Sequence, residues 1–179
     1  MLPPAHVQLT WGFLNFIQRR WRAFRRADYR LIALAAVLPD LIDKPLAVFV
    51  FPHWNAALLF THTLLTHLGV WSVAAAAGRL RQGLPYLLAF SGHLIADRTW
   101  KFPRTLLWPL KGREFHTWQN VGSPKAFGRA YLKALFEYPY LTLAEMAGFV
   151  AFIWLIRDRR LGDGARLRRF LRSGQVEET

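Results

Sequence analysis

The sequence predicts an all-α protein: a membrane-embedded bundle of about four apolar helices, with amphipathic helices at the interface. Three observations predict it. Apolar residues make up 53% of the 179 residues, far more than a solvated basic chain carries. They fall in long runs whose ends bear arginine, the pattern of spans with cytoplasmic anchors. No stretch alternates apolar and polar residues with the period of a strand. The length suits one domain, taken as 1–161, followed by a basic, flexible tail over 162–179.

The elements follow in order. Trp11, Phe13, Leu14, Phe16 and Ile17 precede the first arginine block and read as an interfacial helix. Residues 31–51 are long enough to cross but carry Asp40, Asp43 and Lys44 near the middle. Three such charges cost about 8–10 kcal/mol, against about 7 kcal/mol returned by the apolar residues. We therefore expect a helix to about Leu38, a break carrying both aspartates, and a second apolar piece. Such a break survives at membrane depth only under cover of protein or a wet cavity.

Residues 56–78 are free of Asp, Glu, Lys and Arg and would reach about 34 Å as a helix, enough for a ~30 Å hydrocarbon core. Residues 84–100 form a shorter apolar helix, with Pro85 suited to the first turn. Residues 101–124 are rich in Pro and Gly, Gly122 among them, and read as loop. An amphipathic helix follows over 126–136, with Arg129 and Lys133 on its polar side. Residues 138–156 are a second span of about 28 Å, holding Glu145 and ending at the second arginine block. The tail is basic, then acidic. The start lacks the basic n-region of a secretory signal.

Lys and Arg number 24 against 11 Asp and Glu, a net charge of +13. Such a charge meets either nucleic-acid phosphates or lipid head groups. Because the arginines flank apolar runs, anionic lipid head groups are the expected partner. Nucleic-acid binding, with Trp11, Trp21 and Phe24 as stacking platforms, is disfavoured. The topology stays open. Four crossings put the blocks at 19–30, at Arg79 and Arg81, and after Ile156 on one side, but then leave the cations of 101–133 outside. The absence of cysteine excludes a disulfide scaffold, a cysteine nucleophile and a thiolate metal site.

Ionisable side chains in apolar helices are costly, and each needs a reason. His6, Asp40, Asp43, His62, His67, His93 and Asp97 form the set. His93 and Asp97 are four apart and share a helix face. They could share a metal, Asp97 could orient the His93 ring, or a plain hydrogen bond could tie the helix down. Asp40 and Asp43 could equally cap a turn. His62 and His67 are five apart, so at most one need face a site. His53 and His116 read as surface residues. Together, imidazole and carboxylate donors from three or four helices suit a divalent metal, zinc first, with manganese or iron as alternatives. No Gly-rich phosphate loop and no nucleophile elbow is present.

Four motifs then carry a resemblance. The run Leu38-Pro39-Asp40-Leu41-Ile42-Asp43-Lys44-Pro45-Leu46, the run Thr61-His62-Thr63-Leu64-Leu65, and Gly92-His93-Leu94-Ile95-Ala96-Asp97 followed by Leu107-Trp108-Pro109-Leu110 resemble elements of the YdjM-type membrane-bound metal-dependent hydrolases. Pro4-Ala5-His6 resembles the family's amino-terminal start. The match covers about 1–112. The motif order is also similar to that of zinc-dependent phospholipase C, which implies phosphoester chemistry by analogy. The resemblance implies an integral protein of a bacterial-type inner membrane, with His6, Asp40, His62, His93 and Asp97 as metal ligands. Asp43 would stand behind the ligands or act as general base. Relatives carry a Gly-Arg upstream of the His62 position, where this chain has Phe60-Thr61. Arg98 and Lys44 are then the nearest candidates to bind substrate phosphate. The expected substrate is a lipid-like phosphoester. The alternative is a non-catalytic membrane scaffold or partner-binding protein whose His/Asp cluster is structural.

Overall fold

A computed structural model describes residues 1–117 and 123–176. Gly122 of the expected loop, and Glu177 and Glu178 of the acidic tail end, lie outside the described residues. Every regular element among the described residues is helical. Helix α1 spans Pro3–Trp21, opened by Pro3 at a position whose N–H needs no partner. Helix α2 spans Tyr29–Pro45. Its cap is Asp28, which accepts from the Arg30 backbone N–H and pairs with the Arg30 guanidinium at 2.7 Å. That guanidinium holds the Asp28 carboxyl below its ordinary range. The cap's charge contribution is therefore complete above the ordinary carboxylate pKa and is lost only as pH falls through the lower one.

A π turn over Leu46–Val50 and 3-10 turns over Pro52–Trp54 and Phe60–His62 lead to α3, Leu64–Ala76. Thr63 caps α3 by accepting from the Thr66 N–H. Helix α4 spans Leu80–Ala96, and α5 is one turn, Pro103–Leu106. Helix α6, Pro124–Glu137, is capped by Ser123. Helix α7 spans Pro139–Asp158 and α8 spans Gly164–Ser173.

Helix α2 lies between α1 and α4, and α1 runs along α7; α3 lies against α4 and α6 against α7. The main core joins Leu14, Ala27, Tyr29, Ile32, Ala89, Leu155, Leu161 and Phe170. Two glycines let α1 and α7 approach closely. A Cβ on Gly12 would sit 2.7 Å from the Ala151 Cβ, and one on Gly148 would sit 3.2 Å from the Ala5 Cα. At the far end of this pair Arg159 is buried and donates to Asn15 Oδ1 at 2.5 Å and Gln18 Oε1 at 3.1 Å. The Tyr29 hydroxyl donates to the same Gln18 oxygen, and Asp158 pairs with Arg19 at 2.7 Å. The buried cation is thus hydrogen-bonded and its neighbouring carboxylate is paired, as burial requires.

The structure corrects several expectations. Among the described residues only α7 is both long and apolar enough to cross a bilayer, not about four helices. Of its most apolar 18-residue window 11% is buried, so its apolar surface is not spent on a protein core. The expected span over 56–78 is divided at Thr63, which turns extended to cap α3. Asp43 explains the division: it takes the N–H groups of Leu59 and Thr61 and the His62 ring, which fixes a non-helical path. Helix α2 does not break near Leu38 but runs through Pro39 to Pro45. A proline removes only the hydrogen bond to the carbonyl four residues earlier, that of Ala35, and Pro39 is itself buried, its own carbonyl accepting from the Thr61 hydroxyl at 2.8 Å. Helix α4 begins a turn earlier than expected, at Leu80, so Pro85 lies inside it.

Where a flexible tail was expected, α8 is docked through buried Phe170. Its end is set by Gly174, at φ +67°, where an added Cβ would overlap the Asp28 carboxylate, and whose carbonyl accepts from the Tyr29 N–H at 2.7 Å. Gly174→Ala is expected to cost about 2 kcal/mol, from left-handed strain plus overpacking. Limited proteolysis should then cut near α8 before the rest of the chain unfolds.

Candidate metal centre

Four segments converge at the core of the α1–α2–α4 assembly. The spacing of Asp40 and Asp43 puts both on one face of α2. His93 and Asp97 do the same at the end of α4. His6 comes from the first turn of α1, and the 3-10 turn before α3 supplies His62. His6, Asp40, His62 and His93 are buried, and Asp97 nearly so.

The hydrogen bonds on the outer side of each ring decide what faces inward. His93 Nδ1 is 2.7 Å from the Ala36 carbonyl oxygen. A carbonyl only accepts, so Nδ1 carries a proton, and in the neutral ring Nε2 then presents a lone pair. His62 Nδ1 is 2.7 Å from Asp43 Oδ2, and the same logic turns the lone pair of its Nε2 inward. The two Nε2 atoms lie 3.1 Å apart. Each is 3.7 Å from Asp40 Oδ1, an oxygen buried without a hydrogen-bond partner. Asp97 Oδ2 is 3.4 Å from His93 Nε2 and 3.7 Å from His62 Nε2. His62 Nε2, His93 Nε2, Asp40 Oδ1 and Asp97 Oδ2 thus face one point.

His6 closes the group: its Nε2 is 3.0 Å from Asp97 Oδ1, and its ring stacks on His93 at 4.1 Å. The Met1 nitrogen also lies on Asp97 Oδ1. His6, Asp40, His93 and Asp97 each offer a ligand atom within 4.8 Å of the others and could hold a metal ion. The donor set is nitrogen and carboxylate oxygen, which fits zinc, manganese or iron. The orphaned Asp40 oxygen is the kind of atom a cation would satisfy.

The sequence model of the YdjM inner membrane protein family matches residues 1–158. The chain belongs to this family. No curated protein and no solved structure matches it. The YdjM match runs beyond the four motifs to the end of α7, and so includes the helix that is long enough to cross a bilayer.

Within this YdjM fold the other candidate residues fall into distinct places. Asp43 stands behind His62, fully buried, and accepts from three donors, the N–H groups of Leu59 and Thr61 and the His62 ring. Lys44 pairs with Asp40 Oδ2. Arg98 lies over the Tyr140 ring at 4.7 Å. His67 is outside the group: its Nε2 donates to the Thr61 carbonyl, and its Nδ1 meets Ser91 Oγ at 3.1 Å. His53 and His116 are exposed.

Two contributors escaped sequence reasoning. Ala36 acts through its carbonyl, which leaves no trace in the choice of side chain. Thr61 acts through its N–H and hydroxyl, and its position beside His62 was the available signal.

Proposed function

We propose that this YdjM-family chain is an integral membrane hydrolase that uses a divalent metal to cleave phosphoesters, with a lipid-like substrate. The observation that carries the reading is the convergence of ligand atoms from Asp40, His62, His93 and Asp97, each residue held from behind by a partner. These four, with His6, would hold the ion, zinc first by donor type. When bound, such an ion supplies Lewis acidity toward a phosphoryl oxygen and acidifies water for attack.

The chain's own groups do the rest. Asp43 locks the His62 ring in the tautomer that keeps Nε2 unprotonated. With three donors already on it, Asp43 orients rather than takes up a proton, the second of the roles considered for it. Lys44, beside Asp40, is the cation best set to meet a phosphate oxygen. Arg98 would have to leave Tyr140 to do so. The arginine blocks would hold anionic head groups around the protein, and α7 would anchor it in the bilayer.

A second reading is favoured by the burial of Asp43, His62 and His93: a structural knot in a scaffold protein. Metal content separates the two. Purified full-length protein should hold near-stoichiometric zinc, manganese or iron by elemental mass spectrometry, and folded His93→Ala should lose it. The metal-loaded wild type should cleave phosphodiesters above an Asp40→Asn control. No metal in wild type even after adding it back, or a His93→Ala chain that cannot fold, would favour the knot.

A further inference from the structure

A cavity of about 490 Å³ lies between α1 and α4, within the range of small-molecule sites. Its walls are apolar, with Phe13 and Ile17 on the α1 side and Leu88 and Ile95 on the α4 side. Phe13 is 61% and Ile95 69% exposed, so the cleft is open along its rim rather than sealed. His6 also lines it, and His6 belongs to the His/Asp group. The cleft therefore reaches the candidate metal centre at one wall residue, His6. The other polar lining is slight. The Ser91 hydroxyl is already engaged by Trp71 Nε1 and His67; His6, Thr10 and Met1, whose amino group pairs with Asp97, are the other polar groups of the wall.

An apolar cleft with one member of a cluster able to hold a dication in its wall matches one chemical shape, an apolar chain ending in an anionic head. We propose that the α1–α4 cleft seats the alkyl chain of an amphiphilic phosphoester and delivers its phosphate past His6 to the His/Asp cluster. The head-group half of this inference rests on the proposed function; the chain seat has its own test. Gly92 provides the handle. It lines the cleft, and a Cβ built on it meets nothing within 4 Å. A large side chain there would enter the cleft instead of striking a neighbouring helix.

The test uses the full-length protein in amphipol, with and without zinc, titrated calorimetrically with inorganic phosphate and with butyl, hexyl and octyl phosphate. Each buried methylene tightens binding roughly fourfold. From butyl to octyl the affinity should then rise on the order of a hundredfold. Folded Gly92→Phe should abolish that rise, and Leu88→Trp serves if Gly92→Phe does not fold. Melting temperature and zinc content report folding separately.

Octyl phosphate binding no tighter than butyl phosphate, or a chain-length rise that survives in both folded variants, overturns the chain seat. Because partition into amphipol is indifferent to Gly92, it would show as that surviving rise. If inorganic phosphate binds as tightly as octyl phosphate, the centre recognises free phosphate and the lipid proposal falls. A chain-length rise in a protein that cleaves no phosphodiester would sink the hydrolase reading and leave the seat standing.

Discussion

Asp43→Asn is expected to weaken metal binding roughly 10- to 100-fold and to destabilise the fold by about 3 kcal/mol. The carboxylate receives the Leu59 N–H at 2.7 Å, the Thr61 N–H at 3.1 Å and the His62 ring at 2.7 Å. An amide has one oxygen and one NH2, so at least one of the three donors would face another donor in a buried place. The backbone bonds hold the turn that carries His62, and the ring bond sets its tautomer. Both the turn and the tautomer lapse together. Zinc competition against a chromogenic chelator gives the affinity, and thermal unfolding gives the stability. The coupling can be read from the double variant: Asp43→Asn added to His62→Ala should cost the metal little more than His62→Ala alone, because residues in one network are non-additive. Unchanged metal affinity in a folded Asp43→Asn protein that has lost turnover would instead make Asp43 the general base.

The all-helical class and the resemblance to this family were legible because they rest on local information: apolar run length, arginine at run ends, and short motifs in a fixed order. The gathering of His6, Asp40, His62, His93 and Asp97 was also suggested, since buried ionisable groups in apolar runs must find each other or pay for desolvation. The path of the chain between them was not legible. Residues 56–78 have the composition of one uninterrupted span, yet a carboxylate from another helix, Asp43, claims two of their backbone N–H groups. Pro39 read as a break because the bond it removes is local, whereas the contact that ties it into the fold, the Thr61 hydroxyl on its carbonyl, comes from 22 residues away. Charge alone made the stretch after Leu161 look like a tail; one buried aromatic, Phe170, docks it, with the Gly174 carbonyl on the Tyr29 N–H. Long-range hydrogen bonds overrode local propensity in the first two cases and burial overrode it in the third.

Gly148→Leu should part α1 from α7 and, through that, disturb the metal centre. Lipid tails are as apolar as leucine, so helices in a bilayer gain little from apolar burial and rely on close contact between small residues. If α7 spans, Gly148 is where that contact is made: an added Cβ would lie 2.9 Å from Gln8 Oε1 and 3.2 Å from the Ala5 Cα. The second of these is backbone and cannot rotate away, so α1 itself must shift. Ala5 precedes His6, whose ring sits 4.1 Å over His93 and whose Nε2 is 3.0 Å from Asp97. Overpacking at one such point costs about 3 kcal/mol, or about 6–12 °C in melting temperature for a chain of this size. Gly12→Leu meets Ala151 at 2.7 Å and should destabilise as much, but it lies more than one turn further along α1 from His6. Only Gly148→Leu should therefore lower metal occupancy, and by as much as His6→Ala does. Gly69, which has nothing within 4 Å of its built Cβ, is the control that should change neither. Equal metal occupancy in Gly148→Leu, Gly12→Leu and wild type would remove His6 from the ligand set and leave it as a stacking neighbour of His93.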